Sequence, residues 1–199
     1  MKRVFLFVFV SLLALNAVFC QHPALAKAAC QIENPAIRYD PSYFRISYPN
    51  GDVPADRGVC TDVVIRAYRR LGIDLQKEVH EDMKADFARY PNNWGLTQPD
   101  PNIDHRRVPN LMTFFSRYGE VLEITDHPED YKQGDIVCWD LGSGILHIGI
   151  VSNLASKENV PVPGKRLLVM HNIGAGQVLE DCLFDWKIIG HYRYLGKGE

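Results

Sequence analysis

The chain has 199 residues, 22 of them basic and 24 acidic, for a formal charge of −2 with no basic cluster, which argues against nucleic acid as a partner. This length suits one domain with a real hydrophobic core, and no internal repeat or low-complexity linker divides it.

Lys2 and Arg3 precede an apolar run from Val4 to Phe19, and Ala24-Leu25-Ala26 offers small residues at the two positions a signal peptidase inspects. The reading is a cleaved signal over 1–26, with Lys27 as the first mature residue and a single exported domain over 27–199, in the periplasm or cell envelope. Losing Lys2 and Arg3 and no acid moves the formal charge from −2 to −4. Two alternatives are weaker. Lipidation at Cys20 wants a small residue where Phe19 stands, and an uncleaved anchor would use a run close to the ~17 to 20 residues of a spanning helix. No second apolar run of that length follows, so no membrane partner is expected after cleavage.

Residues 34–57 are rich in Pro, Gly, Tyr and Asp and read as loop, with Pro49-Asn50-Gly51-Asp52 a strong turn. A helix is predicted from Cys60 to Leu71, with Val63, Val64, Ala67 and Leu71 on one face and Gly72 as its stop. A second, from Asp74 to Tyr90, repeats Leu75, Val79, Met83 and Phe87 and ends at Pro91. Pro109 opens a third, with Leu111, Met112, Phe115 and Tyr118 inward. After Gly134 short apolar runs predict strands near 135–140, 145–153, 166–172 and 187–195, with a shorter one around 177–180. Helices first and strands later imply an α+β domain whose N-terminal helices pack on one face of an antiparallel sheet. The segment at about 74–120 is a helical insertion between them.

Two residues carry the chemistry. Cys60, in Gly58-Val59-Cys60-Thr61-Asp62, sits at a helix start, where the helix N-terminus favours a thiolate over a thiol of pKa near ~8.5. His147, in Gly144-Ile145-Leu146-His147-Ile148-Gly149-Ile150, lies within a buried strand. Taken singly, each reads more simply as a small buried hydrophobe and a satisfied core histidine. A third member should orient the imidazole from a neighbouring strand, and Leu167-Leu168-Val169-Met170-His171-Asn172 ends on two candidates. His171 is preferred and Asn172 is the alternative, because adjacent strand residues face opposite ways and Asn172 suits the turn that follows.

The four cysteines after residue 26 are Cys30, Cys60, Cys138 and Cys182. In an oxidising compartment they invite disulfides; with Cys60 free and Cys138 buried in a strand, Cys30 to Cys182 is the pairing favoured. The spacing resembles no zinc site and no cofactor is expected. A metal-dependent hydrolase using His80, Glu81, Asp82, Asp86, Asp104 and His105 is disfavoured, since His80, Glu81 and Asp82 fan around a helix, the i+4 partner of His80 is Lys84, and H-E-x-x-H is absent.

Cys60, Gly134-Asp135-Ile136-Val137, His147-Ile148-Gly149-Ile150 and strand-end His171 together resemble the NlpC-type branch of papain-like cysteine peptidases. Tyr48, twelve residues before Cys60, is similar to a tyrosine that branch places near its nucleophile. Tyr48-Pro49-Asn50-Gly51-Asp52-Val53-Pro54, Gly58-Val59-Cys60-Thr61-Asp62 and Asn102-Ile103-Asp104-His105-Arg106-Arg107 resemble an uncharacterised bacterial exported domain family related to those peptidases. The resemblance implies a papain-like fold, Cys60 as nucleophile, His147 as general base, His171 as its orienter, and amide chemistry on cell-wall peptides. Val59 and Thr61 depart from the Asp and Ser of the NlpC-type pattern. An oxyanion would take the Cys60 N–H, with Tyr48 a second donor. Asp104, His105, Arg106 and Arg107 are candidates for substrate binding, the arginines for the carboxylates of stem peptides. The competing functions are an envelope protein that binds wall fragments or a partner on the same scaffold, and an acyltransferase.

Overall fold

A computed structural model describes residues 23–157 and 166–197. Cys20 and the apolar run from Val4 to Phe19 lie outside these residues. Among the described residues, no helix is long and apolar enough to cross a membrane.

The helices are α1 (23–30), α2 (Cys60–Arg69), α3 (Leu75–Ala85) and α4 (Val108–Tyr118), and the strands are β1 (Arg38–Tyr39), β2 (Arg57–Gly58), β3 (Glu120–Val121), β4 (Ile136–Asp140), β5 (Leu146–Ala155), β6 (Leu167–His171), β7 (Val178–Glu180) and β8 (Lys187–Arg193). Six strands form one antiparallel sheet in the order β3-β8-β4-β5-β6-β7. Strands β1 and β2 make a small parallel pair that sets Tyr39 beside Gly58.

Alternation along the strands divides the interior in two. Ile136, Cys138, Ile148, Ile150 and Met170 face the helices and pack with Leu25 of α1, Val63, Val64 and Ala67 of α2, and Leu111 and Phe115 of α4. Val137, Trp139, Val151 and Val169 face the other way, onto Tyr131, Cys182 and Leu183 from loops. Helices thus cover one face of the sheet and loops the other. Asp135, at the head of β4, accepts from Arg193 Nε at 2.8 Å and pairs with His191 Nε2 at 2.9 Å, which gives the Gly134-Asp135 segment a structural role.

The second predicted helix is shorter than expected. Asp74 caps it by accepting from the Gln76 N–H at 3.1 Å, and it ends at Ala85, with a separate 3-10 turn at Phe87–Arg89. Buried Asp82 explains the break: its carboxylate accepts from Tyr90 at 2.6 Å, from Arg117 Nε at 2.8 Å and from Tyr118, so the chain after Ala85 folds back to bring Tyr90 onto it. The polar face of α2 is also covered. Arg66 reaches Asp52, Gln177 and the Arg57 carbonyl, and Arg69 reaches the Gly51 carbonyl, strapping the 34–57 loop across the helix.

All four described cysteines are free. The expected Cys30–Cys182 bridge is absent because the two are separately engaged: Cys30 Sγ donates to Asn153 Oδ1 at 3.3 Å, and Cys182 Sγ lies 3.6 Å from His171 Nε2. Helix α1 has no counterpart among the expected elements. Its Leu25 and Ala26 are 2% and 0% exposed, so a boundary after Ala26 would cut through a helix that belongs to the core.

Candidate functional site

Cys60 is the first residue of α2. Val59 is extended, and its N–H donates to Asp62 Oδ2 at 2.7 Å, so a carboxylate in the first turn closes the helix start around the thiol. Asp62 is held in turn by Arg106, whose Nε and Nη2 meet its two oxygens at 2.9 and 3.0 Å. Thr61 Oγ1 donates to the Arg106 carbonyl at 3.1 Å, which docks the insertion directly on the residue after the nucleophile candidate.

Cys60 is 5% exposed, and burial pushes its thiol up to about 12. The backbone N–H groups of Ile148, Thr61 and Cys60 work against that rise, while Asp62 adds to it. The sulfur therefore sits among amide donors, one of them on the strand residue that follows His147.

On β5 and β6, His147 Nε2 and His171 Nδ1 are 2.8 Å apart, and His171 Nε2 is 2.8 Å from Glu180 Oε2 on β7. The protons in this chain follow from its far end. An ionised carboxylate only accepts, so His171 carries its proton on Nε2 and accepts at Nδ1. His147 then donates from Nε2 and keeps a lone pair on Nδ1, to which no described residue donates. Burial holds His147 down to about 3, with His171 contributing, and burial also lowers His171 against the opposing pull of Glu180. Both rings are neutral at ordinary pH. Trp139 and Trp186 flank His147 with ring centroids 5.7 and 5.9 Å away. Gly149 lets β5 and β6 close up here, since a Cβ would stand 2.7 Å from Val169 Cγ1 and 3.3 Å from His171 Cβ.

The structure brings His147 and His171 together and sets Cys60 against the backbone of the next β5 residue. No hydrogen bond joins the thiol to His147 among the described contacts. Asn172 is engaged elsewhere. Its Nδ2 donates to the Gly58 carbonyl at 3.3 Å and its Oδ1 accepts from the Gly174 N–H at 3.0 Å, tying the end of β6 to the approach to Cys60.

A cavity of about 430 Å³ opens at Cys60, with Tyr39, Trp94, Arg106, Arg107 and Leu146 in its wall. A larger cavity of about 890 Å³ between α3 and the C-terminal segment has no cysteine in its wall; the smaller one has Cys60, and His147 lines neither. The tyrosine at the thiol is Tyr39, not Tyr48. Tyr39 is 41% exposed, but partial desolvation of its hydroxyl at the cavity pushes it up to about 12, with Cys60 and Asp62 next in effect, whereas Tyr48 packs edge-on against His80 at 5.0 Å. The parallel β1–β2 pair, two residues long, puts Tyr39 there and has no periodic signal.

The four insertion residues separate by role. Arg106 is committed to Asp62 and to the Ser42 carbonyl at 3.1 Å. Asp104 is fully buried, raised to about 6 by desolvation, and accepts from the Asp100 N–H at 2.6 Å. His105 is buried and held down to about 3 by desolvation, then by Arg106. Arg107 lines the cavity beside Arg106 without being tied to Asp62; its guanidinium lies 3.9 Å over the Trp94 ring and 3.9 Å from Asp104 Oδ1. Asp82 and Asp86 are held by Arg117 and His80 Nδ1 lies 3.8 Å from Asp104, but no three of His80, Glu81, Asp82, Asp86, Asp104 and His105 converge as a ligand set among the described residues.

A family described as a domain of unknown function (DUF1287) matches residues 25–194. The chain belongs to that family. It is 52% identical over 174 residues to "Uncharacterized protein YijF" of Escherichia coli (strain K12), which covers 87% of this chain and 82% of the relative. Among solved structures it is similar to NlpC2 from Trichomonas vaginalis, with a TM-score of 0.42 and 15% identity over 88% of this chain; the match spans about half, 48%, of that neighbour. Glu180, which completes the histidine chain, is not among the residues the sequence singles out; its signal is its place on the short strand beside His171, which only the register Val169↔Glu180 and His171↔Val178 makes visible.

Proposed function

We propose that the protein is an exported cysteine hydrolase with a papain-like arrangement, an amidase or peptidase acting on amide bonds of cell-wall or envelope peptides. The observation that carries this reading is the His147–His171–Glu180 chain, which leaves His147 Nδ1 as a lone pair one residue from the strand N–H that faces Cys60. Cys60 is the nucleophile, His147 the general base, and His171 the group that fixes its tautomer.

Both partners rest uncharged, so the thiol gives up its proton as it attacks. Cys60 Sγ bonds to the amide carbon while the thiol proton passes to His147 Nδ1. The resulting imidazolium returns that proton to the departing amine as the C–N bond breaks, leaving an acyl-enzyme that water hydrolyses by the reverse proton path. The Cys60 N–H, which has no partner within α2, donates to the oxyanion, and the Tyr39 hydroxyl in the cavity wall is a second donor. Closure of the sulfur on His147 belongs to the substrate complex, as apo sites commonly leave such bonds unmade. Arg107, backed by Trp94, is suited to a substrate carboxylate, and stem peptides carry these.

The test is incubation with peptides released from cell wall, read by mass spectrometry. Cleavage lost in Cys60→Ala and His147→Ala, with a raised KM in Arg107→Ala, supports the reading; cleavage that survives Cys60→Ala contradicts it. Product carrying a second amine in place of water would mark an acyltransferase. The absence of a Cys60–His147 hydrogen bond favours one alternative, an envelope protein that binds wall fragments in this cavity with an idle thiol. Binding of the same peptides without turnover would identify it.

A further inference from the structure

The outer end of the histidine chain is a second constellation. His171 Nε2, Glu180 Oε2 and Cys182 Sγ lie within 4.8 Å of one another, and this is the group of three His, Cys or acidic donors that converges among the described residues. Strand pairing assembles it. β7 returns antiparallel to β6, so Glu180 stands diagonal to His171, and a tight turn closed by the Asp185 N–H on the Cys182 carbonyl at 3.2 Å swings the thiol back toward the ring. Three residues of different chemistry facing one point is more than a hydrogen-bonded histidine needs, because Glu180 alone satisfies Nε2.

We propose that His171, Glu180 and Cys182 bind a divalent transition metal of the zinc type, and that the bound metal switches off the base at His147; the second half rests on the catalytic reading above. Imidazole, thiolate and carboxylate are the donors zinc takes, with the remaining position left to water. The spacing fits. A zinc ion about 2.05 Å from nitrogen and about 2.3 Å from sulfur at a tetrahedral angle holds the two donors about 3.6 Å apart. Cys182 Sγ and His171 Nε2 are 3.6 Å apart. Glu180 Oε2, now 2.8 Å from Nε2, need only open by about 0.6 Å to take its own position at about 2.1 Å from the metal. The Glu180 side chain is 42% exposed, so the ion reaches the buried imidazole and thiol from solvent along it. Asp181 is not needed, since Arg166 holds it at 2.6 Å.

Metal binding reverses the direction of the histidine chain. The Cys182 proton leaves to solvent as the thiolate binds. His171 gives its Nε2 lone pair to the metal, so its proton moves to Nδ1, where it is donated to His147 Nε2. His147 in turn carries its proton on Nδ1. The two rings hold two protons before and after, but the lone pair that accepts from the Cys60 thiol is gone. A metal here acts as an inhibitor without touching the nucleophile.

Cobalt(II) is titrated into the purified protein in reducing buffer, and the thiolate-to-cobalt charge-transfer band is followed. The band is expected in the wild type and in Cys60→Ser and to be lost in Cys182→Ser; no band, or one that survives Cys182→Ser, overturns the site. X-ray absorption of the zinc-loaded wild type, which needs no variant, should report one sulfur with nitrogen and oxygen, and a shell without sulfur overturns it equally. For the switch, zinc should slow Cys60 alkylation in the wild type to the rate of His147→Ala and leave Cys182→Ser unaffected. Equal slowing in Cys182→Ser would mean that zinc acts on Cys60 directly and would overturn the switch. If alkylation proves independent of His147, the catalytic reading fails while the cobalt titration still decides the metal site.

Discussion

Arg106 and Arg107 are adjacent, and their surroundings assign them opposite roles. Arg106 is buried against Asp62, so replacing it with alanine leaves an uncompensated carboxylate at the helix start that carries Cys60. Losing one partner of a buried pair costs about 3–5 kcal/mol. Arg106→Ala is expected to lose that much stability in urea unfolding, and Arg107→Ala, whose contact to buried Asp104 is longer at 3.9 Å, to lose less. The neutral histidines make a second claim at this scale. His147 and His105 are both held down to about 3, against 6.5 in an unfolded chain, so the unfolded state takes up more protons and stability is lost as pH falls from 6.5 toward 3. Asp104, raised to about 6 from 3.8, works the other way and adds stability as pH falls between those values. His171 and His80 are lowered as well, so the histidines outweigh the one carboxylate: urea midpoints should drop between pH 7 and pH 4, and less steeply in His147→Gln. A midpoint independent of pH would contradict the neutral assignment.

At the scale of elements, the site depends on how tightly β5 and β6 approach. A methyl at Gly149 meets Val169 Cγ1 at 2.7 Å and the Met170 carbonyl at 3.1 Å. Overpacking of this kind costs about 1–3 kcal/mol. Gly149→Ala should lose that much stability and also weaken the His147–His171 hydrogen bond, seen as a change in the imidazole nitrogen shifts by NMR. Unchanged shifts would show that the strands absorb the methyl. The helices and long strands are legible in the sequence because each buries one face, and period 3.6 or 2 survives in Val63-Val64-Ala67 and in β5. The histidine pair is legible for the same reason. Tyr39, Glu180 and the Asp82 cluster are not, because two- and three-residue strands carry no period and a polar residue's partners depend on which segment folds over it. The Tyr48 expectation fails on this point: a fixed offset from Cys60 does not report the parallel pairing that brings Tyr39 to Gly58.

At the scale of the molecule, helices on one sheet face and loops on the other give two clusters, and the candidate site straddles them. Cys60 belongs to the helix side with Ile148, while Trp139 and Trp186 on the loop side flank His147. Helix α1 closes the helix-side cluster through Leu25 and Ala29. Burying a leucine is worth about 1.5–3 kcal/mol. A chain of residues 27–199 should therefore melt below one of residues 23–199; equal melting would place α1 outside the cooperative unit. The insertion reaches the same site from above through Arg106 and Thr61, so the fold brings its sequence-distant parts together at one helix start.

The central claim is that His147 activates Cys60, and the rate of Cys60 alkylation against pH, mapped by mass spectrometry in the wild type and in His147→Ala, tests it most directly. Selective modification of Cys60 is expected at neutral pH in the wild type. In His147→Ala the thiol, which burial already pushes up to about 12 in the wild type, has no base to take its proton as it reacts, and reaction should retreat to strongly alkaline pH. Identical profiles in the two proteins would contradict the account.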